Sequence, residues 1–570
     1  MDGPSGGGTG ATDPAKTVPS TVPASLPAPF AGGRPAPRGR TYLGRPPSPG
    51  VARSAAAGAT RDRRPSGPRA VRPIGVIDVG SNTARLVVFE AAPGGAVRAV
   101  YEAKEVPRLG LGTGADGRLS DAAIGRGVAA LQRFAKIVRQ RAIPRTLAVA
   151  TSAVRDAPNG PDFLRAVERS SGLLLRTISG TAEARYGYLG VAGAWELHDD
   201  VVCDLGGGSL QLVEVLRGSA RGSASLPLGV LRLSQRFLDH DPPKRREMEE
   251  LQAHVRAAVK AAFGGFQVRS PGLYAVGGTV RALARAAIDL RGWPIGRVHG
   301  YSLFDHDLEA LGELREEMPA EKRRAIPGIG SDRADVVVAG VIVLQELLRA
   351  TGADRIRVSG TGIREGIALE AVGAALPAPA TELADRSVRA AAESFAFDLA
   401  HAEEVAQAAL GLFQALAPRE KWGPREALAL RVAAGLHDAG IAIDLWRHAH
   451  HSAYLIQNYP ILGLDQREIL LAAMAAYLHE GGSLPSEWKK RYQAILDADD
   501  LDLARRLGAV LETAELVAGL RPRFAPTADG RTVGVAFSPP AGSPGIGRAG
   551  EKAAKTIERA FGRQVKVRER

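Results

Sequence analysis

Two short segments of this sequence resemble each other, and no other feature constrains the fold as strongly. The segments are IGVIDVGSNTARLVVFE at residues 74–90 and VVCDLGGGSLQLVEV at residues 201–215. Each consists of two apolar runs joined by small turn residues, which is the pattern of a β-hairpin. Aligning Asp78 with Asp204 also aligns two glycines, two hydroxyl residues and two leucines: Gly80 with Gly206, Thr83 with Ser209, and Leu86 with Leu212. The chain therefore contains a weak internal repeat.

Helix and strand patterns alternate around both hairpins. The first half has a helical stretch near 121–140, the strand TLAVAT, a second helix and the strand LLLRTIS. The second half has the strand LYAVGG, a long helix at 332–350, the strand RIRVSG and a helix ending near Ala375. This alternation predicts an α/β layer architecture, and the following ALPAPA predicts a linker.

The C-terminal third is expected to be mostly helical. From residue 381 to about 519 the apolar residues follow helical spacing, which predicts an all-α domain. The last stretch contains VGVAF, a Gly/Pro loop, EKAAKTIERAF and QVKVRE, the pattern of a small βαβ appendage.

The first 72 residues have a different composition from the rest. They are almost wholly Gly, Pro, Ala, Ser, Thr and Arg, with too few large apolar side chains to form a core, so we expect disorder. They carry eleven Lys/Arg and three Asp, a net +8 of the chain's +13, which leaves +5 for the remainder. A passive extension is favoured over a tail that binds nucleic acid, and the mildly basic remainder suits either an anionic substrate or a solvated surface.

Composition also limits the compartment and the redox chemistry. The single cysteine, Cys203, excludes an intramolecular disulfide and fits a reducing compartment. No run of about 18 apolar residues is present, and the N-terminus lacks a signal-peptide pattern. We therefore expect a cytoplasmic protein without a membrane partner.

The two hairpins suggest phosphate chemistry. An Asp-x-Gly turn places a carboxylate at a strand end and leaves backbone N–H groups free to bind an anion. A single turn of this kind is more often an ordinary hairpin turn that binds no ligand. Two of them, each opening one half of a duplicated α/β structure, would set two phosphate cradles and two carboxylates across one cleft.

Further segments extend the pattern and carry a resemblance. In chain order they are AVATSAVRDAPNG, ISGTAEARYGYLGV, SLPLGVLRLSQRF, AVGGTVRALAR, SDRADVVVAGVIVLQELL and VSGTGIREG. With the two hairpins, they resemble the exopolyphosphatase and guanosine pentaphosphate phosphohydrolase family of the actin-like, ribonuclease H-like ATPase superfamily. The resemblance implies a duplicated α/β fold with lobe I at 73–195 and lobe II at 196–375 around a cleft, an HD-like helical domain at 381–520 and an appendage at 530–570. The last helix of lobe II is left free to return to lobe I.

The resemblance also implies the site residues. Glu183 takes the place of the catalytic glutamate that activates water, and Asp78 and Asp204 would hold Mg²⁺ or another divalent cation. Arg155 would supply a guanidinium fork for phosphate. The remaining phosphate-binding residues would be Gly80, Ser81, Asn82, Thr83, Gly206, Gly207, Gly208, Ser209, Gly278 and Thr279. A surface salt bridge for Arg155 and a packing turn for residues 277–279 are the alternative interpretations.

Two positions depart from the family pattern. The second hairpin usually contains GGGSTEL, but this chain has Gln211 where a glutamate that contributes to metal binding is expected. Glu214 is not expected to replace it, because an offset of three along a strand points to the opposite face. Ala182 also takes the place of a second glutamate before Ala184 in the ISGxEEA motif, and Glu183 is retained.

Histidines are concentrated in the helical region. Six of the chain's eleven histidines lie between His401 and His479. The segments LHDAG and HHSAYLI resemble an HD-type domain, which implies the metal-ligand candidates His401, His437, Asp438, His451 and His479, with Glu515 in place of a final Asp. Long members of the family commonly keep this domain without metal, where it shapes a polyphosphate channel and a dimer interface, and this interpretation is favoured over metal binding.

The function implied by the resemblance is release of orthophosphate from the end of polyphosphate or of guanosine pentaphosphate (pppGpp) by a homodimeric hydrolase. Polyphosphate is the preferred substrate. An ATP-dependent kinase of the same superfamily and a binding protein that senses (p)ppGpp or polyphosphate are the alternatives.

Overall fold

The computed structural model of the chain describes residues 73–92, 95–111, 116–269, 271–316, 318–526, 532–537, 547–562 and 564–569. The N-terminal tail for which the sequence predicts disorder lies outside these residues.

The first apolar run, IGVIDV, forms a central strand because its side chains are buried on both faces. The elements of this half are β1 (Ile74–Val79), β2 (Ala84–Ala92), β3 (Ala96–Glu105), α1 (Asp121–Gln140), β4 (Arg145–Ala150), α2 (Ser152–Arg155), α3 (Gly160–Ser171) and β5 (Leu175–Thr177). The sheet order is β3-β2-β1-β4-β5. The first three strands are antiparallel, whereas β1, β4 and β5 are parallel.

The second half has the same topology. Its elements are α4 (Gly180–Ala192), β6 (Asp200–Leu205), β7 (Leu210–Leu216), β8 (Ser219–Leu226), α5 (Val230–Phe237), α6 (Arg245–Phe263), β9 (Gly272–Val276), α7 (Gly278–Leu290), β10 (Ser302–Phe304), α8 (Asp305–Glu316), α9 (Ala320–Arg323), α10 (Val337–Thr351), β11 (Arg355–Val358) and α11 (Ile363–Ala371). The sheet order is β10-β11-β9-β6-β7-β8. Read from β8 to β11, it repeats the order and strand directions of β3 to β5. The predicted duplicated α/β fold is confirmed.

Helices α4 and α11 cross between the two sheets. Ala184 and Tyr188 of α4 pack with strands β6, β7 and β9 of the second sheet. Ile367 and Ala368 of α11 pack on β1 and β2 of the first sheet. By packing, α4 therefore belongs to the second lobe, although it precedes β6 in the chain, and α11 belongs to the first lobe.

The helical region follows the second sheet. It contains α12 (Ala380–Phe395), α13 (Leu399–Glu420), α14 (Pro424–Leu436), α15 (His448–Asn458), α16 (Gln466–Leu478), α17 (Ser486–Tyr492) and α18 (Ala498–Val517). Short 3₁₀ turns lie at Ala439–Ala442, Leu445–Arg447 and Ala518–Leu520. These helices share one apolar core, in which α14 and α16 are buried almost all round.

The C-terminal segment adds a three-stranded sheet. Its elements are β12 (Arg523–Pro526), β13 (Thr532–Phe537), α19 (Gly547–Phe561) and β14 (Gln564–Glu569), with sheet order β12-β13-β14. Strands β13 and β14 are parallel, as a βαβ unit requires. Ala553 and Ile557 of α19 join the core of the helical region.

The helical region contacts the second lobe through polar groups. Trp293 donates from Nε1 to Oε1 of Gln466 at 2.7 Å, and Gln466 donates from Nε2 to the carbonyl of Arg297 at 2.7 Å. Gly463 donates its N–H to the carbonyl of Ala194 at 2.9 Å. Among the described helices, none is long and apolar enough to cross a membrane.

Candidate active site

The first hairpin turn lies where β1 ends. Asp78 pairs with Arg85 across β1 and β2. The N–H of Gly80 donates to the carbonyl of Thr83 at 3.0 Å and closes the turn. Asn82 donates from Nδ2 to the carbonyl of Asp332 at 2.9 Å, so this turn contacts the second lobe.

The second turn is built in the same way. Asp204 pairs with Gln211 across β6 and β7, and the N–H of Gly206 donates to the carbonyl of Ser209 at 3.0 Å. The two turns also abut each other. A Cβ on Gly207 would lie 3.3 Å from the backbone nitrogen of Asn82, so the backbones of the two turns approach each other closely at this glycine.

Both turns line one cleft between the lobes, with an empty volume of about 840 Å³. Eleven of the predicted site residues line it, together with Glu183: Asp78, Gly80, Ser81, Asn82, Thr83, Asp204, Gly206, Gly207, Ser209, Gly278 and Thr279. Gly208 lines a neighbouring depression, and Arg155 reaches the cleft through its contact with Glu183. The structure therefore brings most of the predicted residues together around one cleft.

Glu183 occupies the first turn of α4. Ser179 caps this helix by accepting the N–H of Ala182 on its Oγ at 3.1 Å. The side chain of Glu183 is buried, with 6% of its residue surface exposed, and its Oε2 accepts a hydrogen bond from Nη1 of Arg155 at 2.9 Å. Burial raises the pKa of Glu183 to about 7, with Arg155 opposing and Asp204 adding to the shift. This carboxylate can therefore accept and release a proton near neutral pH.

Asp78 and Asp204 line the same cleft, and the pKa of each carboxyl is raised. Burial raises the pKa of Asp204 to about 6, against the effect of Arg281 and in the same sense as the charge of Asp78. Burial likewise raises the pKa of Asp78 above its usual range. Among the described residues, neither carboxylate has a salt-bridge partner within 4.0 Å or a side-chain hydrogen bond. Both are therefore available to a cation.

The cleft is also lined by four arginines that were not predicted from the sequence: Arg85, Arg281, Arg333 and Arg364. Burial, reinforced by the charge of Arg364, lowers the pKa of Arg281 to about 10. A positive lining of this kind favours a polyanionic ligand. Two of them could have been predicted from their position beside motifs. Arg281 lies two residues after the 277–279 turn, and Arg364 lies two residues after Gly362 in TGIREG.

The side-chain amide of Gln211 makes hydrogen bonds within the second lobe. Its Nε2 donates to Oγ of Ser209 at 2.8 Å and to Oγ of Ser225 at 3.2 Å, whereas its Oε1 is buried without a hydrogen bond in the described part of the chain. Glu214 is buried on the other face of β7 and accepts the N–H of Val268 at 2.8 Å. It does not replace the missing carboxylate, as expected.

The sequence matches the Ppx/GppA phosphatase family over residues 87–375 and domain III of the Ppx/GppA phosphatases over residues 383–503. The chain belongs to the Ppx/GppA phosphatase family. Exopolyphosphatase 1 of Mycobacterium tuberculosis is 32% identical over 315 residues, which are 53% of this chain and 90% of that protein. Exopolyphosphatase 2 of the same species is 31% identical over 322 residues, 53% of this chain and 98% of that protein.

A solved structure supports the fold of this Ppx/GppA chain. An exopolyphosphatase from Cytophaga hutchinsonii is 25% identical, covers 54% of this chain and 99% of its own, and superposes with a TM-score of 0.50. The actin-like, duplicated fold implied by the resemblance is confirmed for the part of the chain that this structure covers.

Domain III of this Ppx/GppA chain brings most of the predicted histidines together. Two groups form: His401 with His437 and Glu515, and His479 with Asp438 and His448. The expectation for His451 was wrong, because it faces the 3₁₀ turn at Gly440, and His448, three residues earlier on α15, takes its place. The segment HAHHSA contains three histidines, and which of them lies next to Asp438 and His479 depends on which face of α15 packs against these residues.

Proposed function

We propose that this chain is an exopolyphosphatase, which releases orthophosphate from the end of inorganic polyphosphate by hydrolysing the terminal phosphoanhydride bond. The observation that carries the proposal is the buried Glu183, with a pKa near 7, facing a cleft that two glycine turns and four arginines line. Membership of a phosphatase family supports the hydrolase class.

The cleft is suited to holding the terminal phosphates of a chain. Free N–H groups of the two turns bind phosphate oxygens without adding charge, and guanidinium groups neutralise them with paired hydrogen bonds. Arg155 is the last residue of α2 in lobe I, and its Nη1 already donates to the carbonyl of Ile178 at 3.2 Å as well as to Glu183. This places a guanidinium beside the base, where charge develops on the transferred phosphoryl group.

Glu183 is the general base in this proposal. Its carboxylate takes a proton from the attacking water, the oxygen of that water bonds to the terminal phosphorus, and the bond to the bridging oxygen breaks. The shortened polyphosphate leaves as an anion held by the arginines. Phosphoryl transfer requires mainly positioning and charge neutralisation, so one positioned carboxylate suffices for the proton transfer.

The residues of the cleft fit a divalent cation of the Mg²⁺ type. Asp78 and Asp204 present hard oxygen donors to the same space, and neither is engaged by a salt bridge among the described residues. When bound there, Mg²⁺ would neutralise phosphate charge. Gln211 reduces the number of carboxylates available, since its amide is committed to the hydroxyls of Ser209 and Ser225.

A second phosphoanhydride, pppGpp, is included in the proposal, because its terminal phosphate offers the same oxygens to the same turns. The homodimer and the cytoplasmic location expected from the sequence stay predictions.

The test is phosphate release from long polyphosphate, pppGpp and ATP by the full chain, each with Mg²⁺ and with a chelator. We expect polyphosphate to be hydrolysed fastest and a Glu183→Gln variant to be at least about 100-fold slower on all three. Tight polyphosphate binding with release no faster than in that variant would instead identify a sensor. Phosphate transfer between ATP and an acceptor would identify a kinase.

A further inference from the structure

A second cavity lies between the second lobe and the helical region. It has an empty volume of about 1030 Å³, compared with about 840 Å³ for the active-site cleft, and the two share no lining residue. One wall is the segment 294–297, which follows α7 in the second lobe, and the other walls are α15 and α17 of the helical region. We infer that this cavity binds a nucleotide, which it holds through both the base and the phosphate group.

The charge of the cavity favours an anionic ligand. Arg297 and Arg491 line it, and none of its eleven lining residues is acidic. Among the described residues, neither guanidinium has a carboxylate oxygen within 4.0 Å. The guanidinium of Arg491 instead lies 5.5 Å from the ring centroid of Tyr492. Two arginines without acidic partners make the cavity a suitable place for a phosphate group.

Arg297 has the greater need of an anion, because it is the more buried of the two. Its Nη1 donates to the carbonyl of Tyr459 at 2.7 Å, whereas Nε and Nη2 are buried without a hydrogen bond in the described part of the chain. Burial lowers the pKa of this guanidinium to about 10. A buried charge without a counterion is costly. A phosphate group in the cavity would supply the missing negative charge.

Aromatic rings form a second part of the lining. Tyr454, Trp488 and Tyr492 all line the cavity, and Tyr454 is 59% exposed. The ring of Trp488 is held in place by Tyr492 and Tyr477, with ring centroids 5.8 Å and 5.1 Å away. Bases stack on aromatic side chains of this kind, because every base has a π face. An inorganic anion would make no use of these rings.

Polar atoms for a base edge or a ribose lie beside the rings. The hydroxyl of Tyr492 donates to Oε1 of Gln457 at 2.7 Å, which leaves the Nε2 of this amide as a donor. Nδ2 of Asn458 donates to the carbonyl of Tyr454 at 2.8 Å, which leaves its Oδ1 as an acceptor. Cationic, aromatic and amide groups on one cavity match the three parts of a nucleotide: phosphate, base and ribose.

The test is isothermal titration calorimetry of the full chain with AMP and GMP in the presence of a chelator. These monophosphates contain no phosphoanhydride bond, so the proposed hydrolysis does not consume them. We expect each to bind at least about tenfold more tightly than ribose 5-phosphate, which keeps the phosphate and lacks the base. Tyr454→Ala and Trp488→Ala should each weaken nucleotide binding about tenfold. Arg491→Gln should weaken the binding of nucleotide and ribose 5-phosphate alike.

Matched controls alter the same residue types outside the cavity. Trp446→Ala removes a tryptophan that is 87% exposed, and Lys490→Gln removes the exposed cation next to Arg491. Both variants should bind AMP and GMP as the unchanged chain does. Arg155→Gln should also leave nucleotide binding unchanged while it slows phosphate release, which separates this cavity from the active-site cleft.

The inference is overturned if neither nucleotide binds at millimolar concentration, or if ribose 5-phosphate binds as tightly as AMP and GMP. Loss of binding in Arg155→Gln with none in Trp488→Ala would place the nucleotide in the cleft instead. Tripolyphosphate that binds as tightly as AMP, with no effect of Tyr454→Ala, would identify a site for inorganic anions. Because Tyr454 is exposed, its variant keeps the test decisive if Trp488→Ala does not fold.

Discussion

At the scale of single residues, the proposed mechanism makes the ionisation of the Glu183 carboxyl set the pH at which water is activated. Because its pKa is about 7, a base mechanism requires kcat/KM to fall about tenfold per pH unit below 7 and to level off above it. Glu183→Gln should lower kcat by about 10²–10⁴-fold, the usual contribution of a general base. Phosphate release between pH 5 and pH 9 measures both. An unchanged acid limb in the variant would exclude Glu183 as the titrating group.

A second prediction at this scale concerns Arg155. Its hydrogen bond lowers the pKa of Glu183, so in Arg155→Gln the pKa rises further and the acid limb moves to higher pH. Loss of one positioned donor should also lower kcat by about 10²–10³-fold. Arg169→Gln, an exposed arginine on α3, is the control and should leave the profile unchanged. A shift to lower pH in Arg155→Gln would contradict the pairing.

The sequence was less informative about the arginines of the cleft than about its acids and glycines. Asp78, Asp204 and Glu183 stand in short motifs of unusual composition, whereas Arg281 and Arg364 are two of 74 basic residues. Which of these line a cleft depends on how α7 and α11 pack between the sheets. The same difficulty applies to His448 and His451. Both lie in one histidine-rich segment of α15, and only the packing of that helix shows which of them is near the other histidines.

At the scale of elements, the crossing of α4 and α11 depends on two glycines. A Cβ on Gly190 would lie 2.0 Å from the carbonyl oxygen of Gly362, and a Cβ on Gly366 would lie 2.0 Å from that of Tyr186. Gly190→Ala should therefore separate the helices, cost about 1–3 kcal/mol of unfolding free energy and slow phosphate release. Chemical denaturation and activity assays measure the two effects.

The control for this prediction is Gly125→Ala in α1, where a Cβ meets no atom within 4 Å. A helical Gly→Ala change in open space should stabilise the protein by about 0.5–1 kcal/mol. If Gly190→Ala behaves like Gly125→Ala, the close crossing does not limit the structure.

Edge strands were the elements that the sequence did not predict. The buried strands β1, β2, β6 and β7 are rich in β-branched and leucine residues and stand out. Strand β3, AVRAVYEAKE, is largely exposed and has a composition that also suits a helix, and β8, SARGSASL, has small side chains. Pairing with β2 and β7 determines their structure. The long helix expected from Asp332 begins at Val337, because residues before it form the turn that contacts Asn82.

At the scale of the whole molecule, the side-chain amide of Gln466 makes two of the hydrogen bonds that join the helical region to the second lobe. Gln466→Ala would remove the partner of the Trp293 indole N–H and of the Arg297 carbonyl. Leaving these groups unsatisfied should cost about 1–3 kcal/mol each. We expect a lower denaturation midpoint, measured by urea unfolding. Gln407→Ala, which alters an exposed glutamine of α13, should leave the midpoint unchanged.

The packing of α4 has a consequence for which substitutions can disturb the site. Glu183 is fixed to the second sheet through α4, whereas Arg155 is fixed to the first sheet through β4 and α2. Their hydrogen bond therefore spans the two lobes, so the carboxyl and the guanidinium that lowers its pKa are positioned by different cores. Repacking either core, far from the cleft, would misalign the pair even though both side chains are unchanged.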